Sequence, residues 1–392
     1  MAQEGVQLYL VIGEREIIMY DNVFEKLGYS KEEIEKRLND IFDTMFYGSE
    51  EERIFHPVGD DMGYMEDTGN HDARTEGMSY GMMMCVQMNR KEEFDRLWKW
   101  AKTYMYMDTG VNSGYFAWSC ATNGDKNAYG PAPDGEEYFA MALLFAAHRF
   151  GNGEGIYNYE KEARAILKDM IRKGENNTPG RPMFDPNNHL IRFICEVDFS
   201  DPSYHLPHFY ELFAKWADEE DRDFYMEAAK ASRAYLKLAC DKNTGFSAEY
   251  ANYDGSPLKG AEAQWGSRRD WYFSDAYRTI LNICLDYSWN KSDDWAVQIA
   301  KTFADNMVNK IGVENWNHIF ELDGTMLEES ALHPVAIIAT NATCALAHDD
   351  EATRRCVEEF WNTPLRTGDR RYYDNCLYFF AFLALCGNYR VY

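Results

Sequence analysis

Basic residues are scarce in this sequence. Its 392 residues include 40 Lys and Arg against 65 Asp and Glu, which gives a formal net charge of −25 at neutral pH. Binding to nucleic acid through counterion release needs clustered basic residues that can replace the cations around the phosphates. The same sign of charge disfavours an anionic membrane surface. We therefore expect a protein that binds neither nucleic acid nor membranes.

Long apolar runs are also missing. The only apolar run near the N-terminus is Leu8 to Ile12, and Gly13, Glu14 and Arg15 follow it directly. That run is shorter than the apolar core of a signal peptide, and no other stretch reaches the length of a membrane span. Nine cysteines are scattered without a CxxC pair, which is typical of free thiols in a reducing compartment. Together these features predict a soluble cytoplasmic protein.

Sequence motifs for bound cofactors are missing as well. No set of His, Cys, Asp and Glu has the spacing of a metal site, and no glycine-rich phosphate-binding loop occurs. The sequence therefore predicts no metal and no cofactor. Aromatic residues, in contrast, are abundant at 15% of the chain. They are typical of a packed core, and in a cleft their flat faces stack on the C–H faces of sugars.

The hydrophobic pattern after about residue 30 has the period of α-helices. Ser30 and Glu33 form a capping-box pattern, and the apolar residues of the segment that follows lie on one helical face. Residues 190–194 and 115–118 have the pattern of short extended segments in loops. Further helices are predicted at residues 76–89, 91–106, 136–150, 157–173, 204–217, 219–239, 274–287, 292–309, 333–347, 350–361 and 371–386.

The predicted helices alternate between two types. Segments that are apolar on all sides, such as residues 77–88 and 372–385, should be buried, and amphipathic segments such as 31–46 and 219–238 should surround them. Pairing the first amphipathic helix with the first apolar one gives six pairs. Their recurrence predicts an all-α (α/α)6 barrel of six inner and six outer helices, as a single domain over residues 1–392. The alternative, an open α-solenoid, requires a repeated consensus that is absent from the sequence.

Polar residues stand where the predicted buried helices begin. If these helices run parallel around a ring, their N-termini converge on one mouth, where the side chains face one another. Each side chain also has a possible structural role, since Asp134 and Asp201 can cap helices and Asp275 can pair locally with Arg278. His333 can be a packed core residue. The six positions are Glu76, Asp134, Tyr204, Asp275, His333 and Asp374.

Several carboxylates in an aromatic cleft indicate glycoside hydrolysis. One acid must keep its proton near neutral pH to protonate the leaving oxygen, and Glu76 at the start of an apolar helix is suited to this. The second must stay ionised, which Arg278 favours beside Asp275. The separation of the two carboxylates decides between inversion and retention, and the sequence leaves it open.

Three motifs at these positions resemble glycoside hydrolase family 8, an inverting family with an (α/α)6 barrel. Residues 132–136, Ala-Pro-Asp-Gly-Glu, are similar to the family signature, although Pro133 replaces the usual Ser or Thr and Glu136 the usual Asp. Both departures leave Asp134 in place. The resemblance implies that Asp134 binds the sugar on the glycone side of the cleaved bond and helps to distort its ring.

The other two motifs imply the acid and the base. Residues 75–82, Thr-Glu-Gly-Met-Ser-Tyr-Gly-Met, resemble the segment around the family's proton donor, and residues 273–278 resemble the segment with its general base. The resemblance implies Glu76 as general acid and Asp275 as general base. It also implies that Tyr204 positions the water, Trp118 stacks on a sugar and Arg278 orients the base. The substrate-binding residues that it implies are Asp134, Tyr204, Trp118, Arg278, His333, Tyr372 and Tyr373.

Residues 20–390 resemble one branch of the family, the reducing-end xylose-releasing exo-oligoxylanases. In that branch a Leu-His-Pro loop closes the cleft beyond the leaving sugar, and Leu332-His333-Pro334 matches it. The resemblance implies release of xylose from the reducing end of short β-1,4-xylooligosaccharides. An alternative is an endo-acting β-1,4-glycanase of the same family, a xylanase, cellulase or chitosanase.

Two other functional classes stay open at this point. A sugar epimerase on an α/α barrel needs two acid/base groups, commonly histidines, and only one of the nine histidines, His333, lies at the inferred mouth. An oligosaccharide-binding protein without activity has no sequence feature that excludes it, and only a turnover measurement distinguishes it from an enzyme.

Overall fold

Helices make up most of the chain that the computed structural model describes. The described residues are 9–12, 15–18, 20–260, 262–266, 269–291 and 293–392. In chain order the α-helices are α1 (Val23–Lys26), α2 (Lys31–Tyr47), α3 (Thr75–Gln87), α4 (Lys91–Trp100), α5 (Pro133–Phe150), α6 (Tyr159–Arg172), α7 (Pro207–Trp216), α8 (Arg222–Ala239), α9 (Glu262–Trp265), α10 (Tyr277–Asn290), α11 (Asp294–Asp305), α12 (Pro334–Ala342), α13 (Glu351–Asn362) and α14 (Arg371–Leu385).

Six of these helices form a closed inner ring. In the order α3, α5, α7, α10, α12 and α14, each helix contacts the next, and α14 contacts α3. Every residue of α14 is buried, and so is every residue of α3 except Glu76. Burial on all sides is what the all-round apolar character of these segments predicts.

Six amphipathic helices surround the ring. Helices α4, α6, α8, α11 and α13 each pack on the inner helix that precedes them, and α2 packs on α14. The predicted (α/α)6 barrel is confirmed. The predicted pairing of the first amphipathic helix, α2, with the first apolar one, α3, is wrong. A β-hairpin separates α2 from α3 in the chain, and the short turn after α3 packs α4 onto α3 instead.

Helix ends follow the predicted pattern with local changes of helix type. The capping box between Ser30 and Glu33 is present at the start of α2. Helices α4 and α11 each continue into a π-helical turn, at Ala101–Met105 and Asn306–Ile311, and α12 continues into a 3-10 turn at Thr343–Leu346. These turns account for the predicted helices that extend beyond the α-helical residues.

Short strands form four antiparallel pairs in the described residues. The two predicted extended segments contribute only single bridges, at Phe116 and Ile191. Of the N-terminal apolar run, Leu8 lies outside the described residues and the rest forms a strand. The strands are β1 (Tyr9–Ile12) with β2 (Arg15–Ile18), β3 (Phe55–Val58) with β4 (Met62–Met65), β5 (Asp72–Arg74) with β6 (Ser119–Ala121), and β7 (His318–Phe320) with β8 (Met326–Ser330).

The pair formed by β5 and β6 matters for the site. Strand β5 leads directly into α3, and Trp118 directly precedes β6. The backbone N–H of Thr75 donates to the carbonyl of Trp118 at 2.9 Å, which extends the ladder to the first residue of α3. Pairing across this distance in sequence therefore places Trp118 beside the start of an inner helix.

All nine cysteines lie in the described residues, and each is a buried free thiol. The prediction of scattered unpaired thiols is confirmed. Among the helices of the described ranges, none is both long enough and apolar enough to cross a membrane.

Candidate active site

The N-termini of the six inner helices meet at one mouth of the barrel. Backbone N–H groups at a helix start carry partial positive charge, so this mouth favours carboxylates. Each inner helix places one sequence-predicted site residue in or just before its first turn. These residues are Glu76, Asp134, Tyr204, Arg278, His333 and Tyr372.

Arg278 joins the acidic side chains at the mouth. Its Nη1 donates to Glu76 Oε2 at 2.9 Å and to Asp134 Oδ2 at 3.0 Å. Its Nη2 lies 3.3 Å from Asp275 Oδ1 and 4.0 Å from Asp201 Oδ2. Arg278 was expected to pair with Asp275. It does so, and it also lies within 4.0 Å of the other three carboxyl groups.

Four carboxyl groups around one guanidinium cannot all be ionised at low cost. Full ionisation would leave three uncompensated negative charges in a site that is largely withdrawn from water. The exposed fractions of the side chains of Asp201, Asp134, Glu76 and Asp275 are 0, 8, 15 and 25%. Protons are therefore expected on the more buried members of the cluster, and the more exposed Asp275 is best placed to contact a water molecule from the cleft.

Glu76 has the electrostatics of a general acid. Burial, with a smaller contribution from the nearby carboxylates of Asp134 and Asp275, raises its pKa to about 8 against the lowering effect of Arg278. Its Oε1 accepts a hydrogen bond from the hydroxyl of Tyr372 at 2.7 Å. Glu76 therefore holds a proton at neutral pH and can give it to a leaving oxygen.

Asp134 and Asp201, the two most buried aspartates around Arg278, are also protonated more readily than usual. Burial raises the pKa of Asp134, although Arg278 lowers it. Burial and then the neighbouring Asp275 raise the pKa of Asp201 well above its usual range. Asp134 lies inside α5 and not at its cap, which is Ala132, so the capping alternative for Asp134 is wrong.

Asp275 is placed by a strained backbone turn. It lies in the 3-10 turn Ser274–Ala276 just before α10, and Ser274 has a φ of +46°. The hydroxyl of Tyr373 donates to the carbonyl of Ser274 at 3.2 Å and so supports this turn. Left-handed backbone at a residue other than glycine costs energy, and it is most often retained at functional sites.

Tyr204 covers one face of the guanidinium. It ends the 3-10 turn Pro202–Tyr204, and its ring centroid lies 5.4 Å from Arg278 Cζ. Asp201 caps this turn, because its Oδ1 accepts the backbone N–H of Ser203 at 2.7 Å. The capping role expected for Asp201 is confirmed, and its other carboxyl oxygen faces Arg278.

Trp118 and His333 lie beside different inner helices at the mouth. Trp118 is in the loop that leads to α5, its side chain is 37% exposed, and the guanidinium of Arg74 lies 5.3 Å from its ring centroid. His333 directly precedes α12, three positions around the ring from α5, and its ring centroid lies 4.8 Å from that of Tyr373. The exposed ring of Trp118 is thus beside the start of α3, and the Leu-His-Pro loop is at the start of α12.

The barrel is nearly filled beneath the site. The cavity under Arg278 measures about 10 Å³, and its lining includes Tyr80, Asp134, Glu137 and Ser203. That volume suffices for about one water molecule. A sugar can therefore reach the carboxyl cluster only from the open mouth.

The mouth contains functional side chains that were not predicted from the sequence. Tyr80 OH accepts from Arg278 Nη1 at 2.9 Å, and the spacing of four residues from Glu76 on one helix was a usable signal. Asp201 has a second role beside Arg278 in addition to its cap. Arg366, which pairs with Asp374, has no local sequence signal, because its contact depends on the fold.

Comparisons with known proteins identify the family of this chain. The family model described as Glycosyl hydrolases family 8 matches residues 60–386. The reducing-end xylose-releasing exo-oligoxylanase Rex8A of Paenibacillus barcinonensis is 53% identical over 377 residues, covering 95% of this chain and 97% of that protein. The protein of the same activity name from Halalkalibacterium halodurans is 53% identical over 378 residues, covering 95% and 94%.

A solved structure extends the likeness to three dimensions. Rex8A in complex with xylose aligns with a TM-score of 0.93 at 53% identity, covering 95% of this chain and 98% of that chain. Sequence and structure are thus similar over nearly the full length of both proteins. The chain belongs to glycosyl hydrolase family 8 and is a glycoside hydrolase.

Proposed function

We propose that this glycoside hydrolase releases xylose from the reducing end of short β-1,4-xylooligosaccharides. The observation that carries the proposal is the placement of Glu76 and Asp275 on different nitrogens of one guanidinium, Arg278, at the mouth of the barrel. The activity named for the 53% identical relatives supports xylooligosaccharides as the substrate and exo action over the endo-acting alternative.

In the proposed reaction Glu76 is the general acid. It protonates the glycosidic oxygen as the bond to the anomeric carbon lengthens, so that the leaving xylose departs as a neutral alcohol. The raised pKa of Glu76, about 8, supports this role because the side chain then carries its proton at neutral pH. The hydrogen bond from Tyr372 fixes the orientation of the carboxyl group.

Asp275 is the general base in the same step. It takes a proton from a water molecule that attacks the anomeric carbon from the opposite face, which inverts the configuration. Inversion needs room for that water, a separation of about 6.5–9.5 Å between the carboxyl groups in glycosidases generally. Membership of a family that the sequence motifs identify as inverting supports inversion over direct attack by Asp275.

The remaining predicted residues bind and orient the sugars. Asp134, fixed by Arg278 at 3.0 Å, would bind the glycone sugar next to the cleaved bond and favour its distortion. Tyr204 would orient the attacking water, and the exposed ring of Trp118 would stack on a glycone sugar. Correct positioning of the sugar and the water contributes several kcal/mol of the barrier reduction in glycosidases.

The closed end of the cleft determines where the enzyme cuts. His333 and the partly exposed Leu332 directly precede α12 at the mouth. We propose that this loop, as in the exo-oligoxylanases it resembles, leaves space for one leaving sugar, so that each cut yields one xylose. We further propose that residues 1–392 form one catalytic domain that acts in the cytoplasm, where the nine buried free thiols are stable.

The test is a time course on xylotriose labelled at its reducing end, with proton NMR of the new anomeric signal in the first minutes. We expect labelled xylose and α-configured xylobiose as the first products. Unlabelled xylose as the first monomer would overturn action at the reducing end, and β-xylobiose would overturn inversion. The matched control is Glu76→Gln, which should yield neither product.

A further inference from the structure

Asp374 is a fully buried acid that no step of the proposed reaction uses. It lies in the first turn of α14, and its side chain is 0% exposed. Its Oδ1 accepts the backbone N–H of Ala336 at 2.7 Å. Its Oδ2 accepts from Arg366 Nη1 and lies 3.3 Å from His333 Nδ1. Asp374 therefore contacts the closing loop, the helix after it and a cation at the same time.

Arg366 binds the closing loop directly. Its Nη1 donates to the carbonyl of Leu332 at 2.7 Å as well as to Asp374. Its own backbone is fixed by Asn375, whose amide exchanges two hydrogen bonds of 2.9 Å with the N–H and C=O of Arg366. Asp374 and Arg366, which we call the loop anchor, connect the loop before α12 to the start of α14.

The loop anchor decides which nitrogen of His333 carries the proton. Both carboxyl oxygens of Asp374 act as acceptors, Oδ1 for the Ala336 N–H and Oδ2 for Arg366 Nη1. An acceptor 3.3 Å from His333 Nδ1 requires that Nδ1 be the protonated nitrogen. In a neutral imidazole the other nitrogen, Nε2, then carries a lone pair.

We propose that Asp374 and Arg366 are positioning residues that hold His333 in its Nδ1–H tautomer at the closed end of the cleft. This inference rests on the proposed release of xylose from the reducing end. A free hydroxyl of the leaving sugar can donate to the Nε2 lone pair. If the oligosaccharide continues past this sugar, a glycosidic oxygen replaces that hydroxyl. The glycosidic oxygen and Nε2 are both acceptors, so no hydrogen bond forms between them. The tautomer therefore favours a terminal sugar over an internal one.

The functional test compares Asp374→Asn and Arg366→Gln with the unaltered enzyme on reducing-end-labelled xylotetraose. For both variants we expect the KM to rise about tenfold, since a fixed polar contact to the sugar is lost. We expect kcat to stay within about threefold, because Glu76 and Asp275 are unchanged. Labelled xylobiose should appear among the first products of the variants, whereas the unaltered enzyme yields labelled xylose. Unchanged KM and unchanged first products in both variants would overturn the proposal.

Two controls separate this role from a general loss of stability. Asp349→Asn removes the exposed pair between Asp349 and Arg354, a carboxylate–guanidinium contact of 2.7 Å far from the mouth, and should keep KM and products unchanged. Arg366 is 26% exposed, so Arg366→Gln tests the inference even if the buried Asp374→Asn variant does not fold.

A spectroscopic measurement needs no turnover. In the unaltered protein labelled with ¹⁵N-histidine, we expect the His333 signals of a protonated Nδ1 and an unprotonated Nε2, assigned by their absence in His333→Gln. Arg366→Gln should alter this pattern, because Asp374 Oδ2 then loses the guanidinium that holds it beside His333 Nδ1. A neutral ring with its proton on Nε2 in the unaltered protein would overturn the inference. If the tautomer is as expected but no reducing-end xylose is released, the proposed function fails instead.

Discussion

The hydroxyl of Tyr372 lies 2.7 Å from Glu76 Oε1, and the ring of Tyr372 packs directly on Gly77. A Cβ atom at position 77 would stand 2.6 Å from Tyr372 Cε2 and 2.7 Å from its hydroxyl. Such contacts are shorter than real Cβ atoms make, so only glycine permits the ring to approach α3 this closely. Glycine at position 77 therefore leaves room for the Tyr372 hydroxyl that orients Glu76.

Gly77→Ala is expected to lower kcat by about tenfold or more, because displacing Tyr372 breaks a hydrogen bond to an ionisable group. Tyr372→Phe should lower kcat similarly without any steric change. Since the Tyr372 hydrogen bond lowers the pKa of Glu76, its loss should also shift the alkaline limb of the pH profile upward. Steady-state kinetics on xylotriose across pH tests both effects. A normal kcat and an unshifted limb in Tyr372→Phe would contradict the role assigned to this contact.

The pKa of Glu76 predicts the alkaline limit of activity. A general acid works only while protonated, so kcat/KM should fall as pH rises through about 8, the pKa of Glu76. Above that value the fall should approach about tenfold per pH unit. Glu76→Gln should lower kcat by about 10²–10⁴, the usual contribution of a general acid.

The control for this prediction is Glu219→Gln, which removes an exposed carboxylate near the start of an outer helix. It should leave both kcat and the alkaline limb unchanged. An alkaline limb in Glu219→Gln that differs from that of the unaltered enzyme would mean that the limb reports the total charge of the protein and not the ionisation of Glu76.

Asp201 is expected to act as a neutral acid beside Arg278. Burial and the neighbouring Asp275 raise its pKa well above the usual range, so Asp201 keeps its proton at neutral pH. The amide in Asp201→Asn imitates a protonated carboxyl group in size and polarity, whereas Asp201→Ala leaves Ser203 N–H and the guanidinium without their neighbour. We expect Asp201→Asn to retain about tenfold more activity than Asp201→Ala, as the loss of a buried hydrogen bond implies. Equal impairment of the two variants would indicate that Asp201 acts as an anion.

The barrel and the approximate site could be predicted because both depend on local patterns. Helices apolar on all sides can only be inner helices, and a polar residue such as Glu76 at the start of one has to face the mouth. The contact of α2 with α14 could not be predicted, because it depends on how many helix pairs close the ring. Likewise β5 and β6 pair across α3 and α4, so neither strand shows a recognisable hairpin pattern on its own.

The roles that could not be predicted are those that only long-range contacts define. Asp201 can be recognised as a cap from the following Pro-Ser, and the cap is present, but nothing local indicates that its second oxygen faces Arg278. Asp374 and Arg366 meet His333 across more than thirty residues of chain. A single sequence reports burial and periodicity well, and it does not report which buried charges meet.

The buried carboxyl group of Glu137 should make the stability of the protein depend on pH. Its side chain is fully buried in α5, and Oε1 accepts a hydrogen bond from the hydroxyl of Tyr210. Burial raises its pKa well above the usual range, against the lowering effect of Tyr210. In the unfolded chain a glutamate has a pKa of about 4.3. Its neutral form is therefore favoured in the folded state, and the stabilisation is complete below the unfolded pKa and is lost as pH rises above it.

Glu137→Gln should remove this dependence, because the amide is isosteric with the protonated acid, still accepts from Tyr210 and does not ionise. Near pH 4 the variant and the unaltered protein should have similar free energies of unfolding. As pH rises to 8, the variant should become more stable than the unaltered protein, by up to about 1.4 kcal/mol per pH unit. Urea unfolding at each pH measures this difference, with the exposed Glu35→Gln as the control that should show none. If the difference in free energy of unfolding between the variant and the unaltered protein stays constant with pH, Glu137 is ionised in the folded protein and the prediction is wrong.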